Sequence, residues 1–344
     1  MTGVRMRGEN IRRYIIANVE KHHKDIASVT VDKFGISRQA VNKHLQRLVR
    51  EKALVRRGKT RNRSYSLHPL EEWQTSYQLA TDLAEDVVWR SEVAPSLQQP
   101  PDNVFEIWHY GFTEMFNNVI DHSGGGTVTI RFQKTATATE LMIGDDGIGI
   151  FRKIHDELGL LDERHAILEL AKGKLTTDPA NHTGEGIFFT SRMFDSFDIL
   201  SGGTFFTHKF EDDEDWILES KSSRGTWVWM KLNNHTARTT KRIFDQYSSG
   251  DDYGFTKTVV PVRLVQYSGD KLVSRSQAKR LLARVDRFRT AILDFEDVDS
   301  IGQAFADEIF RVFRNKYPEI ELLTIKTNSV VERMISRTRS ASAS

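Results

Sequence analysis

The sequence predicts a multidomain α+β chain with a basic helical head, a central α/β sandwich and a C-terminal α/β domain. Three observations carry this. Charge is uneven: the first 66 of 344 residues hold 17 Lys and Arg against 5 Asp and Glu, a balance of +12, so with +2 overall the remainder carries −10. The apolar pattern shifts from helical spacing near the N-terminus to strands alternating with helices near the C-terminus. A polar, Pro-containing stretch, "APSLQQPPDN", reads as a joint between units. The length allows two or three cores.

Composition sets the bounds. A hydrophobic fraction of 39% and a charged fraction of 28% are ordinary for a soluble globular protein. The absence of cysteine excludes disulfides, zinc–cysteine sites and thiol catalysis. No apolar run is long enough to span a bilayer and no signal-peptide core opens the chain, so a cytoplasmic protein that avoids membranes is expected.

The head is expected over 1–68. Ile11, Ile15 and Val19 share a helix face, and "DKFGISRQAVNKHLQRLVREKAL" predicts a helix, a turn at Gly35 and a second helix N-capped by Ser37. Val41, Leu45 and Leu48 line one side of that helix, while Arg38, Gln39, Asn42, Lys43 and Arg47 take the others. "LVRRGKTRNRSYSL" follows, with extended flanks around Arg56, Arg57, Lys59, Arg61 and Arg63. This set resembles the winged helix-turn-helix domain of bacterial transcription regulators. The resemblance implies double-stranded DNA as partner, with Arg38, Gln39, Asn42 and Lys43 at base edges and Arg57, Lys59 and Arg61 on phosphates. A solvated basic hairpin, or a winged helix used for protein contacts, are the alternatives.

Residues 69–102 read as a connecting helix, over 70–93, followed by a linker. The central domain is expected over 103–235. In "TEMFNNVIDHSGGG", Phe112, Met115 and Val119 recur at core spacing, while Glu114, Asn118 and His122 stack four residues apart on another side. An acid and an amide presented together can accept a proton and hold a hard cation. "ATELMIGDDGIGI" is an apolar strand ending in Asp145, Gly147 and Gly149; "HTGEGIFFTSRMFD" sets Gly184 and Gly186 before a helix; "SSRGTWVWMKL" sets Thr226 before a strand. Glycines that open a helix let backbone N–H groups approach phosphates.

In this order the four segments resemble the GHKL (HATPase-like) ATP-binding domain of gyrase, MutL and the histidine and anti-sigma kinases. The resemblance implies ATP and Mg²⁺ as cofactors. Glu114 would polarise the attacking water or hydroxyl, Asn118 would ligate magnesium, and Asp145 would read adenine beside Gly147, Gly149 and Thr226. Gly184 and Gly186 would wrap the phosphates. His122 would lie near the phosphates or merely cap its helix. Residues 151–183 would form a lid, from which Lys172 or Lys174 could reach the γ-phosphate or stay in solvent.

"KTVVPVRLVQY", "RTAILDF" and "IELLTIKT" predict strands alternating with three helices over 255–337, and 338–344 reads as a disordered tail. This segment resembles a STAS-like domain, related to the anti-anti-sigma factors that GHKL serine kinases phosphorylate. Gly302 and Gln303 stand where that family has Asp-Ser, and Ser300 lies close by. The expected function is an ATP-responsive, DNA-binding transcriptional regulator, with the STAS-like domain meeting a protein partner or its own chain, and a homodimer among the assemblies allowed. A soluble serine/threonine kinase and an ATP-gated scaffold without turnover are the alternatives; enzymatic activity, if any, would be an ATPase or kinase activity using Mg-ATP.

Overall fold

The computed structural model describes residues 2–59, 62–79, 83–175, 184–210, 214–249, 252–266 and 271–340. Three helices open the chain, α1 (Thr2–Asn18), α2 (Ile26–Phe34) and α3 (Arg38–Arg50), followed by an antiparallel hairpin of β1 (Leu54–Arg57) and β2 (Ser64–Leu67). The turn between α2 and α3 is made by Gly35 in the left-handed region, and the Ser37 side chain accepts from Ala40 N to start α3. Ile15, Val19, Val41 and Leu45 are fully buried at the centre of this head, with Leu54 and Leu67 closing it from the hairpin.

The expected helix over 70–93 forms only from Glu85 onward. Residues after the hairpin enter β3 (Glu71–Gln78), the edge of a five-stranded antiparallel sheet, and then α4 (Glu85–Val88), which continues through a π-helical turn (Trp89–Val93) into α5 (Ala94–Leu97). The reason is visible in "EEWQTSYQ". Trp73, Thr75 and Tyr77 alternate with exposed Glu72, Gln74 and Ser76, a period of two made of good strand formers. Trp73 stacks on Phe132 of the neighbouring strand with ring centroids 5.3 Å apart. The expected linker is likewise docked: Ser96 and Leu97 are buried, and Trp73 Nε1 donates to Ser96 Oγ.

The central unit continues with α6 (Asp102–His122), β4 (Thr127–Lys134), β5 (Ala138–Asp145), α7 (Ile150–Leu158), α8 (Glu163–Lys172), α9 (Gly186–Met193), β6 (Ser196–Lys209) and β7 (Glu214–Asn233). Strand order is β3-β4-β5-β7-β6, each pair antiparallel. Val128, Ile130 and Phe132 of β4, and Val228, Met230 and Leu232 of β7, turn alternate positions inward beneath the helices. Helix α10 (Thr240–Tyr247) belongs to the same core through Ile243 and Tyr247, so the unit extends past the expected boundary at 235.

A short hairpin, β8 (Ser248–Ser249) and β9 (Asp252–Phe255), leads to a three-stranded parallel sheet ordered β10 (Lys257–Pro261), β11 (Thr290–Asp294) and β12 (Glu321–Ile325). The crossovers run through α11 (Arg275–Leu282), and through α12 (Gln303–Asp307), a π-helical turn and α13 (Arg314–Lys316). The last helix, α14 (Ser329–Ser340), includes residues 338–340 that were expected to lie in a disordered tail; 341–344 lie outside the described residues. Among the described residues no helix is long and apolar enough to cross a membrane.

One helix joins the two larger units. From His165 to Lys172 every residue of α8 is buried, which an amphipathic surface helix cannot achieve. Ala166, Ile167 and Leu170 belong to the central core, while Leu168 belongs to the C-terminal core.

Candidate functional site

A cleft of about 290 Å³ opens between the helices and the sheet of the central unit. One wall is α6. Glu114, Asn118 and His122 line it in a single row, while Phe112 and Phe116 are buried on the other side of the same helix. The opposite wall comes from alternate positions of two paired strands, Ile143 and Asp145 on β5 and Thr226 and Val228 on β7. Gly184 and Gly186 close a third side, at the entry to α9. Seven sequence-expected residues from four segments therefore face one space.

The strand-end aspartates behave in opposite ways. Asp145 is buried, and burial pushes its carboxyl above the ordinary range, against the backbone N–H groups of Gly147 and Thr226, which favour its charge. Gly147 N donates to Asp145 Oδ1 at 2.8 Å. Asp146, next in the chain, accepts from Thr127 N and Gly126 N at 2.9 and 2.8 Å, and these bonds hold its carboxyl below the ordinary range. Asp146 thus ties the glycine loop after α6 to the end of β5, while Asp145 faces the cleft. Gly147 and Gly149 flank the cleft rather than line it; Gly149 is the N-cap of α7 at φ +89°, and the next residue, Ile150, donates its N–H to Thr226 Oγ1 at 2.9 Å.

At the other end Gly186 packs directly on Glu114. A Cβ at Gly186 would overlap the Glu114 carboxylate, so any side chain there would displace the acid from its present place. The Gly184 carbonyl accepts from Leu175 N at 3.0 Å, pinning the far end of the expected lid to this turn. Burial, followed by the fields of Glu114 and Glu185, pushes the Tyr110 phenol well above its usual value one turn before Glu114. Two carboxylates, Glu114 and Glu185, thus act on this phenol.

Two expected lid lysines lie elsewhere. Lys172 is fully buried, with its Nζ 2.8 Å from Glu169 Oε1 and donating to the Ala283 and Arg280 carbonyls at 2.7 and 3.1 Å, at the end of α11. Lys174 donates to the Arg287 carbonyl at 3.2 Å and lies over the Phe288 and Phe255 rings, 4.9 and 5.6 Å from their centroids. The physical reason is common to both: free carbonyls and aromatic faces of the C-terminal domain attract ammonium groups that sequence spacing alone leaves unassigned. Residues 176–183 of the expected lid lie outside the described residues. Lys153 of α7 does line the cleft and was not expected there. A strand-glycine-helix pattern followed by a lysine one turn into the helix was the available signal.

In the head, Arg38, Gln39 and Lys43 are exposed on α3 and Asn42 is half-buried; Arg57 and Lys59 are exposed at the hairpin, and Arg61 lies outside the described residues. Burial, then the charges of Arg12 and Arg47, lowers the pKa of His44 on α3.

Among known families, residues 277–332 match the STAS-like domain of unknown function (DUF4325). The C-terminal domain is therefore STAS-like, and its match covers α11 through the first residues of α14. No curated protein matches the chain.

Proposed function

We propose that the chain is an ATP-binding regulator in which a GHKL-type nucleotide cleft governs a DNA-binding winged-helix head. One observation carries the reading: Glu114, Asn118 and His122 from one helix row share a single cleft with Asp145, Thr226, Gly184 and Gly186. The apolar wall of Ile143, Ile199 and Val228 suits a purine face, and the buried Asp145 carboxylate suits its exocyclic amine. The Gly184–Gly186 turn suits phosphates, because its backbone is reachable without side chains.

The donor set fits magnesium in one way. Among the described residues no cluster of three or more His, Asp or Glu could hold a metal by itself. Magnesium held through one or two protein oxygens and the phosphates of a ligand needs no such cluster. Asn118 would supply the amide oxygen, and the ion when bound would neutralise phosphate charge. Glu114 is then the proton acceptor for a water or hydroxyl at the Gly186 turn.

The head is the output in this reading. Exposed Arg38, Gln39 and Lys43 on α3 are placed to meet base edges, and Arg57 and Lys59 to meet phosphates. A phosphotransfer reading finds no acceptor at the family position, because Gln303 stands where that family has its serine.

The test is calorimetry on the full chain with Mg-ATP. Asn118→Ala and Asp145→Asn are expected to lose binding, and Glu114→Ala to keep binding while losing any turnover. ATP bound normally by the first two variants would refute the cleft assignment. γ-Labelled ATP then separates the chemistries: label on protein marks a kinase, free phosphate an ATPase, and neither a binding switch.

A further inference from the structure

A nucleoside polyphosphate is a dense anion, yet the cleft is lined by two carboxylates, Glu114 and Asp145. The cation that offsets them has to be found. Among the described residues that line the cleft, Lys153 is the one Lys or Arg. The lid lysines are committed elsewhere, Lys172 to the end of α11 and Lys174 to Arg287, Phe255 and Phe288. The lid segment that lies outside the described residues, "TTDPANHT" over 176–183, contains neither Lys nor Arg.

We propose that Lys153 is the phosphate-binding cation of the cleft, acting on the phosphate nearest the ribose; this rests on the nucleotide reading above. Its place along the ligand follows from its neighbour. Lys153 Nζ donates to the His122 carbonyl at 3.2 Å and lies 3.5 Å from His122 Nδ1, at the far end of the α6 row. Four residues of α-helix rise about 6 Å, so His122 stands roughly 12 Å along the axis from Glu114. An ammonium has three N–H donors, and these contacts engage two at most. Lys153 is therefore remote from the γ-phosphate end at Glu114 and Gly186, and near the junction of phosphate chain and nucleoside.

This placement makes a differential prediction. ATP and ADP both carry the ribose-proximal phosphate, whereas adenosine carries none. Lys153→Gln is expected to weaken ATP and ADP by the same factor, roughly 10- to 100-fold for a lost charge-assisted bond. Adenosine binding should be unchanged, and Lys153→Arg should restore most of the ATP affinity. Competition titrations of the three ligands against the full chain, with Mg²⁺ present, read this directly. ATP bound by Lys153→Gln as by the parent overturns the assignment. An equal loss of adenosine would also overturn it, because the lysine would then act through packing. A loss confined to ATP, with ADP unaffected, would move the cation to the γ-phosphate and overturn the stated position. A parent chain that binds none of the three would refute the nucleotide reading itself, an outcome distinct from all the others.

Discussion

On its C-terminal side the central unit is bolted to its neighbour; on its N-terminal side it touches the head far more lightly. The C-terminal joint is built on α8, buried from His165 to Lys172. Its Lys172 ties Glu169 to the end of α11, and Thr258 Oγ1 donates back to the Lys172 carbonyl at 2.7 Å. An aromatic cluster continues the joint, with Phe255 packed 4.6 Å from Phe188 and 5.2 Å from Phe288, centroid to centroid. The head instead meets the open face of the sheet at an ion pair, Lys231 Nζ to Glu20 Oε2 at 3.3 Å, about a third exposed on both sides. The two joints differ in what they can transmit. A dry interface that shares a helix moves as one body, whereas a half-solvated ion pair can be exchanged for water at little cost.

The difference bears on the cleft, because Leu170 and Leu175 at the end of α8 line it. The STAS-like domain thus holds part of the cleft wall, while the head is reached through β3, which starts within a few residues of the hairpin, where Leu70 N donates to the Lys134 carbonyl at 2.7 Å.

The largest effect expected is at the buried joint. Lys172→Met leaves the α11 carbonyls without their donor and Glu169 with only Arg284, 4.0 Å away, and should cost about 3–5 kcal/mol in denaturant unfolding. Adding Glu169→Leu should recover much of that loss, since an apolar pair of similar volume replaces an ion pair well. No recovery would mean that the joint depends on the carbonyl bonds rather than on charge pairing.

A smaller effect is expected across the light joint. DNA affinity of the full chain should differ between ADP and a non-hydrolysable ATP analogue, with a coupling of about 1 kcal/mol, or roughly fivefold, at the low end of allosteric values. Cognate DNA should shift nucleotide affinity by the same factor. Identical affinities in both directions would leave the cleft coupled to the STAS-like domain alone.

Acidification should act on the buried joint through His165. Burial lowers the pKa of His165, assisted by Arg280, Arg164 and Lys172 and opposed by Asp162. A depressed histidine contributes stability that is present above its unfolded value, about 6.5, and is lost as pH falls through the folded value. The melting temperature should therefore fall as the pH drops below about 6.5. His165→Gln should flatten that fall; an unchanged slope would assign it to other groups.

The smallest effect is at Glu20. Glu20→Ala should cost less than about 1 kcal/mol, because the pair is partly solvated and Lys231 keeps Glu140 at 2.7 Å. Differential scanning calorimetry checks this; a loss near that of Lys172→Met would erase the contrast between the joints.

Much of the site was legible because it is local. Glu114, Asn118 and His122 share a row by helix geometry whatever packs around them, and Ser37 caps α3 through a bond three residues long. The strands over 290–294 and 321–325 follow from β-branched and apolar runs, and the match at 277–332 agrees with a STAS-like domain. The motif resemblance picks out Asp145 rather than Asp146, but not the physical difference between them. Their opposite environments come from β7 on one side and the glycine loop on the other.

What the tertiary structure alone decided is where groups go when their partners are distant in the chain. "EEWQTSYQ" carries enough Glu and Gln to continue a helix, and it becomes a strand because β4, more than fifty residues on, offers a full ladder from Glu71–Lys134 to Gln78–Thr127. Lys172 finds its carbonyls 108 and 111 residues away, and Lys174 finds Arg287 at 113. The sequence by itself determined which residues of α6, β5 and β7 could line one cleft, since helix rows and strand alternation are set by backbone periods. Only the fold decided which lysine faces that cleft, because a long flexible side chain goes to whichever acceptors the packed chain brings within its reach.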